Sequence, residues 1–153
     1  MADRNQLLHA AQTFCEAFAS KQDVNRVLDL FSVTHERTVI EHGEPSMAPF
    51  LGRRFVGASV RKYFEIIGDL LDYDSDSIHF LEYAVDVERR KVFVRAKGRF
   101  TWRSTGDSWD EMFAYLLDFD HELKVTDYQI WADSGAAYLA KLGKLDEIRK
   151  VCE

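Results

Sequence analysis

Apolar residues recur at three- and four-residue steps near the start of the chain. Leu7, Leu8, Ala11, Phe14, Cys15 and Phe18 form one broad stripe. That period predicts an α-helix opened by Asp3 or Asn5 and running to about Ser20. Asp23 opens a second, shorter helix with Val24, Val27, Leu28 and Phe31 inward. After the loop Glu44–Arg54, with Pro45, Pro49 and Gly52, Phe55-Val56-Gly57 leads into a third helix. Its stripe is Val60, Tyr63, Phe64, Ile67 and Leu71. Beyond Asp76 the period changes to two. Strands are expected over 77–87, 91–104, 109–119 and 124–132, separated by polar turns, and 134–151 reads as one closing amphipathic helix. In the long strand Val92, Val94, Ala96, Gly98, Phe100 and Trp102 share a face, while the other face is mostly charged. Gly98 predicts a bend or bulge there. In the next strand Trp109, Phe113, Tyr115, Leu117 and Phe119 share a face. Helices followed by an antiparallel meander give the α+β class. A curved antiparallel sheet wrapped around the N-terminal helices would make a cone whose interior could hold a ligand. The length suits one domain, residues 1–153.

The stretch Thr38-Val39-Ile40-Glu41-His42-Gly43 reads as a short strand, rich in β-branched residues and ended by glycine. Side chains alternate on a strand, so Ile40 and His42 share one face and Val39 and Glu41 the other. Placing Ile40 and His42 inward puts an imidazole in apolar surroundings. It is then either a core histidine with its nitrogens satisfied or a proton-transfer group in an apolar pocket. On this reading Glu41 faces outward.

Composition narrows the function. Aromatic residues make up 13% of the chain, which suits a thick core or an apolar cavity. The net charge is -6, and the one basic cluster, Arg95, Lys97, Arg99 and Arg103, alternates along a predicted strand as a solvated or partner-facing surface. Nucleic-acid binding is not expected. Cys15 and Cys152 have neither metal-ligand nor disulfide-framework spacing. Nor is there an apolar leader or a membrane-length apolar run, so a soluble, cytoplasmic protein is expected. The sequence shows no glycine-rich phosphate loop and no HExxH-like or Gly-x-Ser-x-Gly motif, and no metal or nucleotide cofactor is implied.

Three stretches carry a family likeness. Asp23 to Gly43 is a short helix ending in Leu30-Phe31 and followed by the first strand. Gly52-Arg53-Arg54-Phe55-Val56-Gly57 with Val60 and Tyr63-Phe64 is a glycine-flanked lead into the third helix. Leu117-Asp118-Phe119-Asp120 through Lys124-Val125 to Trp131-Ala132-Asp133 forms a final hairpin. In order and spacing the chain resembles the NTF2-like superfamily, of the SnoaL-like polyketide cyclase and ketosteroid isomerase-like kind. The resemblance implies a cone fold shared by cofactor-free isomerases, dehydratases and cyclases and by non-catalytic transport and scaffolding proteins. It places the isomerase branch's general base near His42 and its acidic donor at Tyr115. The branch's first-helix tyrosine falls at Cys15, a departure that argues against steroid isomerisation itself.

Two readings follow. One is a cofactor-free acid/base enzyme, an isomerase, cyclase or dehydratase acting on a hydrophobic, carbonyl-bearing small molecule. His42 would be its base and Tyr115 its oxyanion donor, with Tyr128 in support. Asp118, Glu111 and His79 are the reserve titratable groups. The other is a non-catalytic binding module for a small molecule or a protein. In both, Phe14, Phe18, Ile40, Phe64, Phe100, Phe113, Tyr115 and Tyr128 would wall the cavity. A homodimer is expected through the outer sheet face, whose Phe93, Arg95, Lys97, Arg99, Thr101 and Arg103 mix aromatic and charged side chains.

Overall fold

The computed structural model describes residues 2–152. Helix α1 (Arg4–Ala19) begins with a capping box. Asp3 accepts from the Gln6 N–H at 2.8 Å, and the Gln6 side chain accepts from the Asp3 N–H at 3.0 Å. Such a cap stabilises a helix by about 1 kcal/mol. Its stripe Leu7, Ala11, Phe14 and Cys15 is buried. Helix α2 (Val24–Leu28) is capped by Asp23. Strands β1 (Thr38–His42) and β2 (Arg54–Val56) follow, then α3 (Val60–Leu70) and the short strand β3 (Leu71–Tyr73). Strands β4 (His79–Asp86), β5 (Lys91–Trp102), β6 (Ser108–Phe119) and β7 (Val125–Trp131) form the meander, and α4 (Ser134–Lys141) and α5 (Leu145–Val151) close the chain.

The sheet has seven strands in the order β2-β1-β7-β6-β5-β3, and β4 pairs with the far half of β5. It is mixed: β1 lies parallel to β7, whereas the pattern had predicted antiparallel pairing throughout. Register irregularities fall at Phe80/Glu82 and at Asp118/Phe119, where the sheet can bend. Gly98 serves another purpose. A Cβ there would sit 2.4 Å from Ile78 Cδ1, so its bare backbone lets the start of β4 approach β5.

Other differences have local causes. The predicted strand from Ser77 starts later, because Ser75–Ser77 forms a 3₁₀ turn capped by Asp74. Phe55-Val56 is not a mere lead-in but lies in β2, paired with β1. The closing helix is broken in two by Gly143, whose φ of +69° admits the left-handed turn that ends α4. Among the described residues no helix is long and apolar enough to cross a membrane.

The core lies between α1, α3 and the concave face of the sheet. On β5 the burial alternates as the period of two predicts: Val92, Val94, Ala96, Phe100 and Trp102 are buried, while Phe93, Arg95, Lys97 and Arg99 are exposed. On β1 the expected parity is reversed. Val39 and Glu41 are buried, and Ile40 and His42 lie on the outer side. Register explains this. Val39 pairs with Tyr128 and Glu41 with Ile130, both inward residues of β7, and directly paired residues share a face.

Candidate active site

The concave face carries two carboxyl groups among aromatic rings. Glu41 comes from β1 and is only 7% exposed. Tyr63, one turn into α3, donates to Glu41 Oε1 at 2.6 Å. Burial pushes the Glu41 carboxyl up to about 8, opposed by the Tyr63 hydrogen bond and reinforced by the nearby charge of Glu111. Near neutral pH Glu41 is therefore predominantly protonated, and it can donate a proton that an ordinary glutamate would already have lost.

Glu111 lies on β6 between Trp109 and Phe113, on the same inward parity. Its Oε1 accepts from Trp109 Nε1 at 2.7 Å, and its Oε2 accepts from the Asp133 backbone N–H at 3.2 Å. Burial raises its pKa, while the Trp109 and Asp133 hydrogen bonds pull the other way and favour the ionised form. Asp133 caps α4 by accepting from the Ala136 N–H at 3.0 Å, so one acceptor, Glu111, ties β6 to the start of that helix.

Glu41 and Glu111 line a chamber with Tyr63, Tyr115, Tyr128, Phe100, Phe113 and Trp109. The Tyr115 and Tyr128 hydroxyls neighbour each other, and burial raises the pKa of both well above the ordinary tyrosine value. They therefore remain protonated and act as hydrogen-bond donors. Their rings meet edge to face, with centroids 4.9 Å apart. The chamber encloses about 40 Å³, close to the space of one water. A larger outer chamber of about 240 Å³ adjoins it. Phe18, Ile67 and Leu71 line both.

The sequence-predicted residues divide accordingly. Phe18, Phe100, Phe113, Tyr115 and Tyr128 line the inner chamber, and Phe64 lines the outer one. Phe14 is instead packed solid, edge-on to Phe31 and Tyr128. Ile40 and His42 belong to the opposite side of the sheet. His42 stacks on Trp131 at 4.7 Å, and its Nε2 meets Gln129 Oε1 at 2.8 Å. It has no path to the chamber, so it is not the base expected there. His79 and His121 are exposed. Cys15 is buried, its thiol pushed up to about 12 by burial, which leaves it a poor nucleophile.

Glu41, Tyr63 and Phe50 were missed as site residues, and Glu111 was held only in reserve. Strand parity alone could have found Glu111, a carboxyl between two inward aromatics. Phe50 sat in a stretch read as a loop, yet it is buried and lines the chamber. Among the described residues no group of three or more His, Cys, Asp or Glu side chains could hold a metal.

This geometry is the NTF2-like fold. No family model matches the chain, and no curated protein matches its sequence. Solved structures do match its shape. A Bacillus subtilis protein provisionally described as an isomerase superimposes with a TM-score of 0.76 at 12% identity, over 94% of this chain and 97% of that one. BvnE pinacolase from Penicillium brevicompactum gives 0.68 at 16% identity, covering 96% and 98%. An NTF2-like protein from Burkholderia thailandensis gives 0.66 at 18% identity, covering 88% and 96%. At such identities the likeness is one of fold, and neighbours of that fold include proteins named as enzymes.

Proposed function

We propose that the chain is a cofactor-free acid/base enzyme, an isomerase, cyclase or dehydratase, acting on a small hydrophobic molecule with a carbonyl or comparable oxygen. The observation that supports this best is the pairing of two carboxyls with unlike surroundings in one apolar chamber. Glu41 is held protonated by burial, and Glu111 is steadied by two N–H donors. Titratable groups set apart in this way divide naturally into acid and base. Glu41 gives its proton to the substrate oxygen while Glu111 takes one from the adjacent carbon, forming an enol. Return of a proton to a different carbon completes an isomerisation, and loss of a β-hydroxyl as water completes a dehydration. Tyr115 and Tyr128 hydrogen-bond the oxygen as its charge grows. Glu41 thus takes the catalytic place first assigned to His42.

The test is deuterium exchange at the α-carbon of small apolar enones in D₂O, followed by NMR. Wild-type protein should exchange, and Glu41→Gln should not. The small inner chamber favours a second reading, a non-catalytic binding module. That reading expects enone-induced shifts in the protein spectrum with no exchange above the buffer rate.

A further inference from the structure

The outer chamber differs in charge from the rest of the molecule. The chain has a net charge of -6, yet the mouth of its interior is flanked by Lys21 and Arg103 with one carboxylate, Asp72, between them. Lys21 Nζ lies 2.8 Å from Asp72 Oδ1, and an Arg103 terminal nitrogen lies 3.7 Å from the same oxygen. Arg103 Nε donates to the Gly68 carbonyl at 3.0 Å. A guanidinium has five N–H donors, so these contacts leave others for a further acceptor. The Lys21 ammonium sits 4.9 Å above the Tyr73 ring, and its backbone adopts a φ of 57°. That left-handed turn ends α1, with the Lys21 N–H donating to the Phe18 carbonyl and the Gln22 N–H to the Ala17 carbonyl, each at 3.1 Å. All three side chains are about half exposed, within reach of a ligand at the mouth.

We infer that Lys21 and Arg103 form an anion-binding rim that takes the carboxylate end of an amphipathic substrate, an apolar organic acid whose reacting end passes Phe18 toward Glu41 and Glu111. This deepens the acid/base reading and rests on it for the direction in which the molecule lies. Two cations against one carboxylate leave one positive charge for the ligand. The walls below the rim are apolar, with Val27, Phe64 and Ile67 among them, which suits a hydrocarbon body. Phe18 stacks on Tyr73 at 5.0 Å and lines both chambers, so a ligand reaching inward must displace its ring.

The experiment compares 4-phenylbutyrate with 4-phenylbutyramide, alike in shape and unlike in charge, by NMR titration of the full chain at low salt. The acid should bind about two- to fivefold more tightly, the worth of one partly exposed charge contact. The preference should shrink as salt is added. It should vanish in the Lys21→Met, Arg103→Met double variant and grow in Asp72→Asn. Equal binding of the two probes, no binding of either, or a preference that survives the double variant overturns the rim. Glu41→Gln separates this inference from the one beneath it, because it should stop α-proton exchange and leave the acid preference intact. A wild-type chain that prefers the acid but exchanges no protons keeps the rim and loses the acid/base reading.

Discussion

Two neighbouring rows of side chains cross the sheet, one on each face. The inner row runs Tyr83, Val94, Tyr115, Ile130, Glu41, and the outer row runs Glu82, Arg95, Ala114, Trp131, His42. Their last members are adjacent in the chain, and each is titratable. Glu41 is sealed among rings with one hydroxyl donor. His42 is half-buried, stacked on an indole and bonded to an amide. One residue of register decides which group meets an apolar interior and which meets the surface. In the mechanism proposed above, strand parity, more than residue chemistry, assigns the proton-transfer role.

The sharpest way to break the contrast is to change each end. Glu41→Gln keeps an acceptor for Tyr63 and removes the proton. Exchange of enone α-protons should fall about 10³-fold, within the span typical of a lost general acid. His42→Ala should change the same rate by less than about twofold. Equal losses in the two variants would end the comparison.

A second effect is on stability and its dependence on pH. The Glu41 pKa is raised in the folded state, so the folded chain holds a proton that the unfolded chain releases. Stability should fall as pH rises from the ordinary glutamate range near 4.5 through about 8, with the full cost reached above that. Glu41→Gln should remove this slope and gain a few kcal/mol at pH 9 relative to pH 4, measured by urea unfolding. An unchanged slope would mean that the carboxyl is not held protonated.

Tyr115→Phe tests the middle of the inner row. It should slow exchange by about 10²-fold, the typical loss for one oxyanion donor, with little change in melting temperature. The mildest change concerns the outer face. Phe93, Met112 and Trp131 there are each about half exposed. We propose that this face joins two copies of the chain. Phe93→Asp should then raise the dimer dissociation constant by tenfold or more in sedimentation experiments, leaving exchange per chain unaltered. A wild-type chain that sediments only as a monomer at micromolar concentration would remove this proposal.

Much of the frame was legible in the pattern. The stripe of α1 and the alternation of β5 and β6 each had one clear apolar face, so their burial followed. β1 did not. Val39 with Glu41 and Ile40 with His42 each pair one aliphatic with one titratable residue, so alternation alone was symmetric. The choice depended on long-range partners: the β7 register and the Tyr63 hydroxyl. Glu111 was readable in principle, since it shares the inward parity of Trp109 and Phe113. Its two N–H donors come from its own strand and from the head of α4, and the second arises only from the folded chain. Arg103 misled differently. It continues the alternation of Arg95, Lys97 and Arg99 in sequence, yet it lies past the end of β5 and turns to the mouth of the outer chamber.

The parallel pairing of β1 with β7 also sets a timetable for assembly. Thr38 and Asp127, hydrogen-bonded across that pair, are 89 residues apart. Closing so long a loop precedes any gain from the contact, and such non-local pairings slow folding. During synthesis α1, α2 and β1 leave the ribosome long before β7 exists. Until then the β7 register that helps fix which face of β1 turns inward is missing, and Glu41 has no Ile130 beside it. The acid is thus among the first functional groups made and the last put in place. A nascent chain halted before residue 125 should therefore carry Glu41 with an ordinary carboxylate pKa, and the proton assigned to it in the proposed reaction would be acquired only when the final strand docks.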